Sequence, residues 1–175
     1  MPITKGFRAL VDEAMAQVTT YSVAQVRERL ADPAVQIVDI RDVRELQAEG
    51  TVVGAYHAPR CMLEFWVDPD SPYHKKLFAD ESREFILFCG AGWRSALAAK
   101  TLQDMGMTNV AHIEGGFGEG GLPFGGQGAS GGVIRAGDDD ARGVATRPGR
   151  VFHAGANAIF GIFPSIFGTT GGEEG

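Results

Sequence analysis

The stretch of sequence that decides the fold runs from a strand into a helix: Phe85-Ile86-Leu87-Phe88-Cys89-Gly90-Ala91-Gly92-Trp93-Arg94-Ser95. Its first four residues form a continuous apolar run, which is typical of a parallel strand covered on both faces. Residues 96–105 are rich in alanine and leucine and favour a helix, which Gly106 is suited to end. The stretch therefore predicts one strand–helix unit of a parallel α/β sheet.

Further strand and helix signals lie on both sides of this unit. Apolar runs at 35–40 and 109–113 predict strands, residues 5–18 predict an amphipathic helix, and capping boxes at Ser22–Gln25 and Asp42–Glu45 predict two more. Helices that alternate with strands indicate an α/β domain with a mainly parallel central sheet.

The composition limits the classes of protein. The chain has 175 residues, of which 44% are hydrophobic, so it is long enough for one globular domain and a tail. The net charge is −6 and no basic cluster occurs, so we expect no nucleic-acid partner. The four histidines are too scattered to indicate a metal site, and nothing in the sequence calls for a cofactor.

The two cysteines, Cys61 and Cys89, are too few for a disulfide framework, and no signal peptide is recognisable. We therefore expect a cytoplasmic protein with two free thiols. Cys61 is predicted to be an incidental thiol. It can resolve a persulfide into a disulfide only if its Cα comes within about 7 Å of the Cα of Cys89.

Cys89 is the strongest candidate for a nucleophile. It follows a strand directly, and ligands of open α/β sheets bind beyond the carboxyl ends of strands. The following residues enter a helix, so their backbone N–H groups are free to surround an anion, and Arg94 adds positive charge. These groups favour a thiolate at Cys89. The alternative is a small buried apolar side chain, which is the usual role of a lone cysteine.

Four segments together resemble the single-domain rhodaneses, a family of sulfurtransferases. They are Val38-Asp39-Ile40-Arg41 with Glu45, the segment 50–59, the segment 85–95 and the segment 109–117. The resemblance covers about residues 20–117. It implies a rhodanese-like three-layer domain in which Cys89 carries a sulfane sulfur as a persulfide.

The resemblance also implies the roles of the site residues. The backbone amides of Gly90, Ala91, Gly92, Trp93, Arg94 and Ser95 would hold the sulfur, and Arg94 would assist anionic donors or brace the loop. The expected donor is thiosulfate or a persulfide, and the expected acceptor is cyanide, a thiol or a protein cysteine. Related phosphatases place five residues between the cysteine and the arginine. Here four residues separate Cys89 from Arg94, and the smaller ring favours sulfur over phosphate.

Other residues near these segments have simpler interpretations. Asp39 and Arg41 are predicted to support the structure rather than to transfer protons, because ion-pair networks commonly mimic catalytic clusters. Glu45 is interpreted as the capping partner of Asp42. Residues 62–66 and Trp93 either wall the mouth of the site or belong to the core.

The sequence predicts an N-terminal helix in 1–19, the rhodanese-like domain in 20–124 and a flexible, glycine-rich tail in 125–175. Residues 116–121 match a dinucleotide fingerprint, but we expect no helix to open there, so no dinucleotide site is predicted. The apolar segment 151–168 is open to three interpretations: it docks on the domain, it contacts a membrane or a partner, or it is a non-native end. Membrane contact is not favoured.

Two functional alternatives to sulfur transfer stay open. A rhodanese-like domain with an idle cysteine would serve as a protein-binding module. A phosphatase-like hydrolase is the less favoured alternative, because the loop is short.

Overall fold

The structure, a computed structural model, describes residues 2–125. Its regular elements in chain order are α1 (Phe7–Met15), β1 (Thr19–Tyr21), α2 (Val23–Arg29), β2 (Val35–Asp39), α3 (Val43–Glu49), β3 (Thr51–Val52), β4 (Tyr56–His57), α4 (Leu63–Val67), β5 (Glu84–Phe88), α5 (Trp93–Asp104), β6 (Val110–Ile113) and β7 (Phe124–Gly125). Short 3₁₀ helices occur at Arg60–Met62, Lys76–Ala79 and Gly116–Glu119.

The central sheet has five strands in the order β1-β6-β5-β2-β4. Every neighbouring pair in it is parallel, so the predicted parallel sheet is confirmed. β5 is the middle strand, with β2 on one side and β6 on the other. β3 and β7 form a separate antiparallel pair. The chain that leaves β5 therefore emerges at the centre of the sheet's carboxyl edge.

Side chains of β5 point alternately to the two faces of the sheet. Phe85 and Leu87 join a core cluster that includes Leu102 of α5, whereas Ile86 and Phe88 join a cluster that includes Val26 of α2. These four side chains of β5 are fully buried. Helices thus cover both faces of the sheet, and the expected three-layer architecture is confirmed.

Several features differ from the expectations, including the short strand β7 at Phe124–Gly125. Strand β1 was not predicted, and it forms by pairing with β6 at the edge of the sheet. The expectation that no helix opens in 116–121 is wrong, because a 3₁₀ helix occupies Gly116–Glu119. Gly115 and Gly116 have φ angles of +70° and +59°, which glycine adopts without strain, so the chain can turn sharply there.

The tail predicted for 125–175 lies outside the described residues from position 126 onward, and so does the apolar segment 151–168. Within residues 2–125, the structure contains no helix that is both long enough and apolar enough to cross a membrane.

Candidate active site

Cys89 lies immediately after β5, at the start of the loop that leads into α5. Its side chain is buried, with 1% of the residue exposed. Gly92 ends the loop with a φ of +82°, a conformation that favours glycine. The strand, the loop and the helix thus place the sulfur at the centre of the carboxyl edge, as the sequence predicts.

The Gly116–Glu119 helix holds the loop in place from one side. The N–H of Phe117 donates to the carbonyl of Cys89 at 2.7 Å, and the N–H of Gly118 donates to the carbonyl of Gly90 at 2.8 Å. In a trans peptide the N–H points opposite to the C=O, so the N–H groups of Gly90 and Ala91 point away from this helix. A Cβ atom at position 116 would collide with the Cys89 carbonyl, so this close approach requires glycine.

Arg94 forms a two-pronged ion pair with Glu45 of α3. Its two terminal nitrogens donate to the two carboxylate oxygens at 2.7 and 2.8 Å. These hydrogen bonds lower the pKa of Glu45 to about 2, and the carboxylate in turn raises the pKa of Arg94. The charge of Cys89 acts on Arg94 in the same direction. The ion pair thus joins the first turn of α5 to α3.

Asp39 and Arg41 form a second ion pair at the end of β2, and both side chains are fully buried. The guanidinium also donates to Glu49 and to the carbonyl of Gly50. It lies 3.7 Å from the centre of the Phe117 ring. This buried pair thereby supports the helix that holds the Cys89 carbonyl.

A family model of the rhodanese-like domain matches residues 22–120 of the chain. The chain belongs to the rhodanese-like family.

The chain is also similar to several solved structures. A Rhodopseudomonas palustris protein of unknown function, described as a possible tyrosine phosphatase, is 45% identical with a TM-score of 0.68, over 71% of this chain and 98% of that one. A thiosulfate sulfurtransferase from Pseudomonas aeruginosa is 22% identical with a TM-score of 0.58, over 74% of this chain and 23% of that one. A human single-domain sulfurtransferase is 26% identical with a TM-score of 0.46, over 56% and 90% of the two chains. No curated protein matches the sequence.

In this rhodanese-like domain an exposed tryptophan begins α5, directly after the Cys89 loop. Trp93 is 43% exposed, its ring lies 5.4 Å from that of Phe7, and the Arg8 guanidinium lies 5.2 Å from it. Trp66, which was considered as a second wall of the mouth, packs instead against Tyr56, a residue of the core. The N-terminal helix therefore contributes to the surroundings of the loop.

The two cysteines of the rhodanese-like domain are both free, Cys61 exposed and Cys89 buried. Among residues 2–125, no group of three or more His, Cys, Asp and Glu side chains is arranged to bind a metal ion. The arrangement therefore offers a single buried sulfur at the base of a short loop.

Sequence reasoning missed two contributors to the rhodanese-like site. Glu45 does form the capping box with Asp42, but it also pairs with Arg94, which lies 49 positions later. The available signal for Glu45 was that it belongs, with residues 38–41, to the first segment that resembles the rhodaneses. His112 had no assigned role, and the structure places it in β6, where its ring faces Ser95. Its position in a strand next to β5 was the only available signal.

Proposed function

We propose that the protein is a sulfurtransferase that carries a sulfane sulfur on Cys89. The observation that carries the proposal is the loop itself: in a rhodanese-like domain, four residues separate a buried Cys89 from an Arg94 that is already paired with Glu45. A small ring with a compensated arginine suits one sulfur atom better than a phosphate dianion.

The first step is attack of the Cys89 thiolate on the outer sulfur of thiosulfate. The S–S bond of thiosulfate breaks, sulfite leaves with the electron pair, and Cys89 becomes a persulfide. The N–H groups of residues 90–95 stabilise the negative charge of the outer sulfur, as donors around an oxyanion do. Gly90 and Ala91 leave space for the added atom, since neither side chain extends beyond a methyl group.

The second step returns the cysteine to its first state. Cyanide, a thiol or a protein cysteine attacks the outer sulfur, the persulfide bond breaks, and the electron pair returns to Cys89. Thiocyanate or a new persulfide leaves. A carrier that is loaded and unloaded in turn follows ping-pong kinetics. We place this reaction in the cytoplasm, where free thiols persist.

Asp39 takes no part in these steps. Its carboxylate accepts hydrogen bonds from Thr51 at 2.6 Å and from the Arg41 guanidinium at 2.8 Å. Its lone pairs are thus already used, so it is a supporting residue rather than an acid or a base.

Intact mass spectrometry after incubation with thiosulfate tests the proposal. The expected result is a gain of one sulfur atom, which cyanide then removes. Cys89→Ser should abolish the gain, whereas Cys61→Ser, which removes the exposed thiol, should keep it. An intact adduct in Cys89→Ser would refute the proposal.

The R. palustris relative makes a phosphatase the second candidate, since it is 45% identical and described as a possible tyrosine phosphatase. Hydrolysis of a phosphotyrosine peptide that depends on Cys89, without sulfur uptake, would favour that function. If the protein shows no sulfur uptake and no hydrolysis, the result would point to a protein-binding module.

A further inference from the structure

A line of buried polar side chains runs from Cys89 to the edge of the sheet. The Cys89 sulfur lies 3.7 Å from the Ser95 hydroxyl, which lies 3.4 Å from Nδ1 of His112. Nε2 of the same ring lies 3.0 Å from the Thr20 hydroxyl on the edge strand β1. Ser95 and His112 are both fully buried. Buried polar groups nearly always have a hydrogen-bond partner, and each group in this line has one.

The neighbours of the His112 ring determine where its proton lies. The Thr20 hydroxyl is 3.0 Å from Nε2 and 3.4 Å from the Val18 carbonyl, so Nε2 is its better acceptor. When Nε2 accepts from Thr20, the ring proton lies on Nδ1, 3.4 Å from the Ser95 hydroxyl oxygen. Burial lowers the pKa of His112 to about 4, so the ring is neutral and carries a single proton near pH 7.

The Ser95 hydroxyl has a choice of hydrogen-bond partners. It donates to the carbonyl of Gly92 at 3.0 Å, and the N–H of Ala96 donates to that same carbonyl at 3.0 Å. If the hydroxyl turns away, the carbonyl keeps a donor, so the turn leaves no buried acceptor unpaired. The hydroxyl can therefore accept from the Cys89 thiol and donate to the Cys89 thiolate.

We propose that Ser95 and His112 are positioning residues for Cys89: His112 holds the Ser95 oxygen, and the Ser95 hydroxyl turns its proton toward the sulfur when Cys89 ionises. The thiol proton leaves to solvent, and no proton passes through His112. The inference deepens the proposed function, because a donor beside the sulfur stabilises both the attacking thiolate and the thiolate that leaves when the acceptor removes the outer sulfur. No covalent bond changes in this rearrangement.

Several charged groups lie near this line, and the variants below do not alter them. Arg94 and Glu45 pair with each other at the loop, Asp39 and Arg41 pair at the end of β2, and the exposed Glu114 follows β6. His112 titrates below the pH range of the test. A shift in that range therefore reports on the hydroxyl.

The test measures the rate at which iodoacetamide alkylates Cys89 between about pH 5 and pH 9, in a Cys61→Ser background that leaves one cysteine. Ser95→Ala should raise the midpoint of this pH profile by about one unit, a tenfold change, because a hydrogen bond to a charged group is lost. His112→Leu should shift the midpoint in the same direction by a smaller amount. His112→Asn keeps a donor near Ser95 and should stay close to the parent.

The double variant Ser95→Ala/His112→Leu separates this role from general damage to the fold. Because His112 acts through Ser95, the double variant should shift no further than Ser95→Ala alone. A Ser95→Ala profile that superimposes on the parent, or shifts that simply add, would overturn the inference. Circular dichroism of each variant checks that the fold persists.

Alkylation requires no sulfur donor, so this result stands apart from sulfur transfer. A shifted profile in a protein that takes up no sulfur would uphold the inference about the thiolate and refute the proposed function. Sulfur uptake by the parent protein, together with an alkylation profile that Ser95→Ala leaves unchanged, would support the proposed function and overturn the inference about Ser95.

Discussion

Two arginine–carboxylate pairs lie at the same edge of the sheet, and they differ in their contact with water. Arg41 and Asp39 are fully buried, whereas the side chains of Arg94 and Glu45 are 44% and 32% exposed. The buried pair lies at the end of one strand, and the exposed pair joins the first turn of α5 to α3. The same ionic chemistry thus serves stability in one place and the geometry of a loop in the other.

Burial explains why the first pair is so fully hydrogen-bonded. Charges removed from water must be compensated by close partners, and Asp39 accepts from the backbone N–H and the guanidinium of Arg41 and from Thr51. The exposed pair needs fewer hydrogen-bond partners from the protein, because water solvates the exposed parts of Arg94 and Glu45. Pairs of the exposed kind contribute little to stability.

Removal of one member of the buried pair should have the largest effect. Asp39→Ala leaves the buried Arg41 guanidinium without its buried carboxylate partner, so we expect a loss of about 3–5 kcal/mol in the free energy of unfolding. Urea unfolding at pH 7, followed by circular dichroism, measures this loss.

The matched control for that variant is Glu49→Gln. Glu49 pairs with the same guanidinium, but its side chain is 54% exposed, so we expect a loss below about 1 kcal/mol. Equal losses in the two variants would show that burial does not distinguish the two kinds of partner.

Replacement of Arg94 should affect sulfur transfer more than stability. Arg94→Gln removes the brace between the loop and α3, and we expect sulfur uptake from thiosulfate to slow about tenfold, because small displacements of reacting groups cost rate. The free energy of unfolding should change by less than about 1 kcal/mol. Stopped-time mass spectrometry and urea unfolding measure the two quantities.

Arg94→Lys separates bracing from charge. Lysine keeps the positive charge but lacks the planar fork that bonds both oxygens of Glu45. If Arg94 braces the loop, the lysine variant should be nearly as slow as Arg94→Gln. A lysine variant with the parent's rate would show instead that the charge attracts the anionic donor.

The sequence predicts those parts of the molecule that depend on neighbouring residues. The apolar run 85–88 and the alanine-rich segment after it predict β5 and α5 correctly, because both signals are local. Strand β1 has three residues and is formed by its pairing with β6, which no local pattern encodes. The Gly116–Glu119 helix forms against the loop carbonyls in a segment whose glycines indicate no helix.

The site shows the same division. The sequence predicts where the candidate nucleophile Cys89 and its loop lie, because Cys89 and Arg94 belong to one segment. It does not predict that Glu45 pairs with Arg94, since 49 positions separate them and the capping box with Asp42 already accounts for the glutamate. Only a contact between distant segments shows that Glu45 has a second role. It caps α3 together with Asp42, and it also pairs with Arg94.

The smallest expected effect is the acid dependence of the exposed pair. Glu45→Gln keeps an oxygen that can cap α3, but it removes the charge and one of the two oxygens to which Arg94 donates. The pKa of Glu45 falls from its ordinary 4.5 to about 2 in the folded state, so between these values the unfolded chain binds more protons than the folded one. The stabilisation is therefore complete above about pH 4.5 and is lost as the pH falls toward 2.

Urea unfolding of the parent and Glu45→Gln from pH 7 to pH 3 tests this sign. We expect a difference below about 1 kcal/mol at pH 7, because the pair is partly exposed, and a smaller difference at each step below about pH 4.5. In an Arg94→Gln background the difference should be much smaller above about pH 4.5, since Glu45 has then lost the guanidinium that contributes most to its lowered pKa. A difference that grows with acid would mean that Glu45 stabilises the fold through a neutral hydrogen bond and not through its charge.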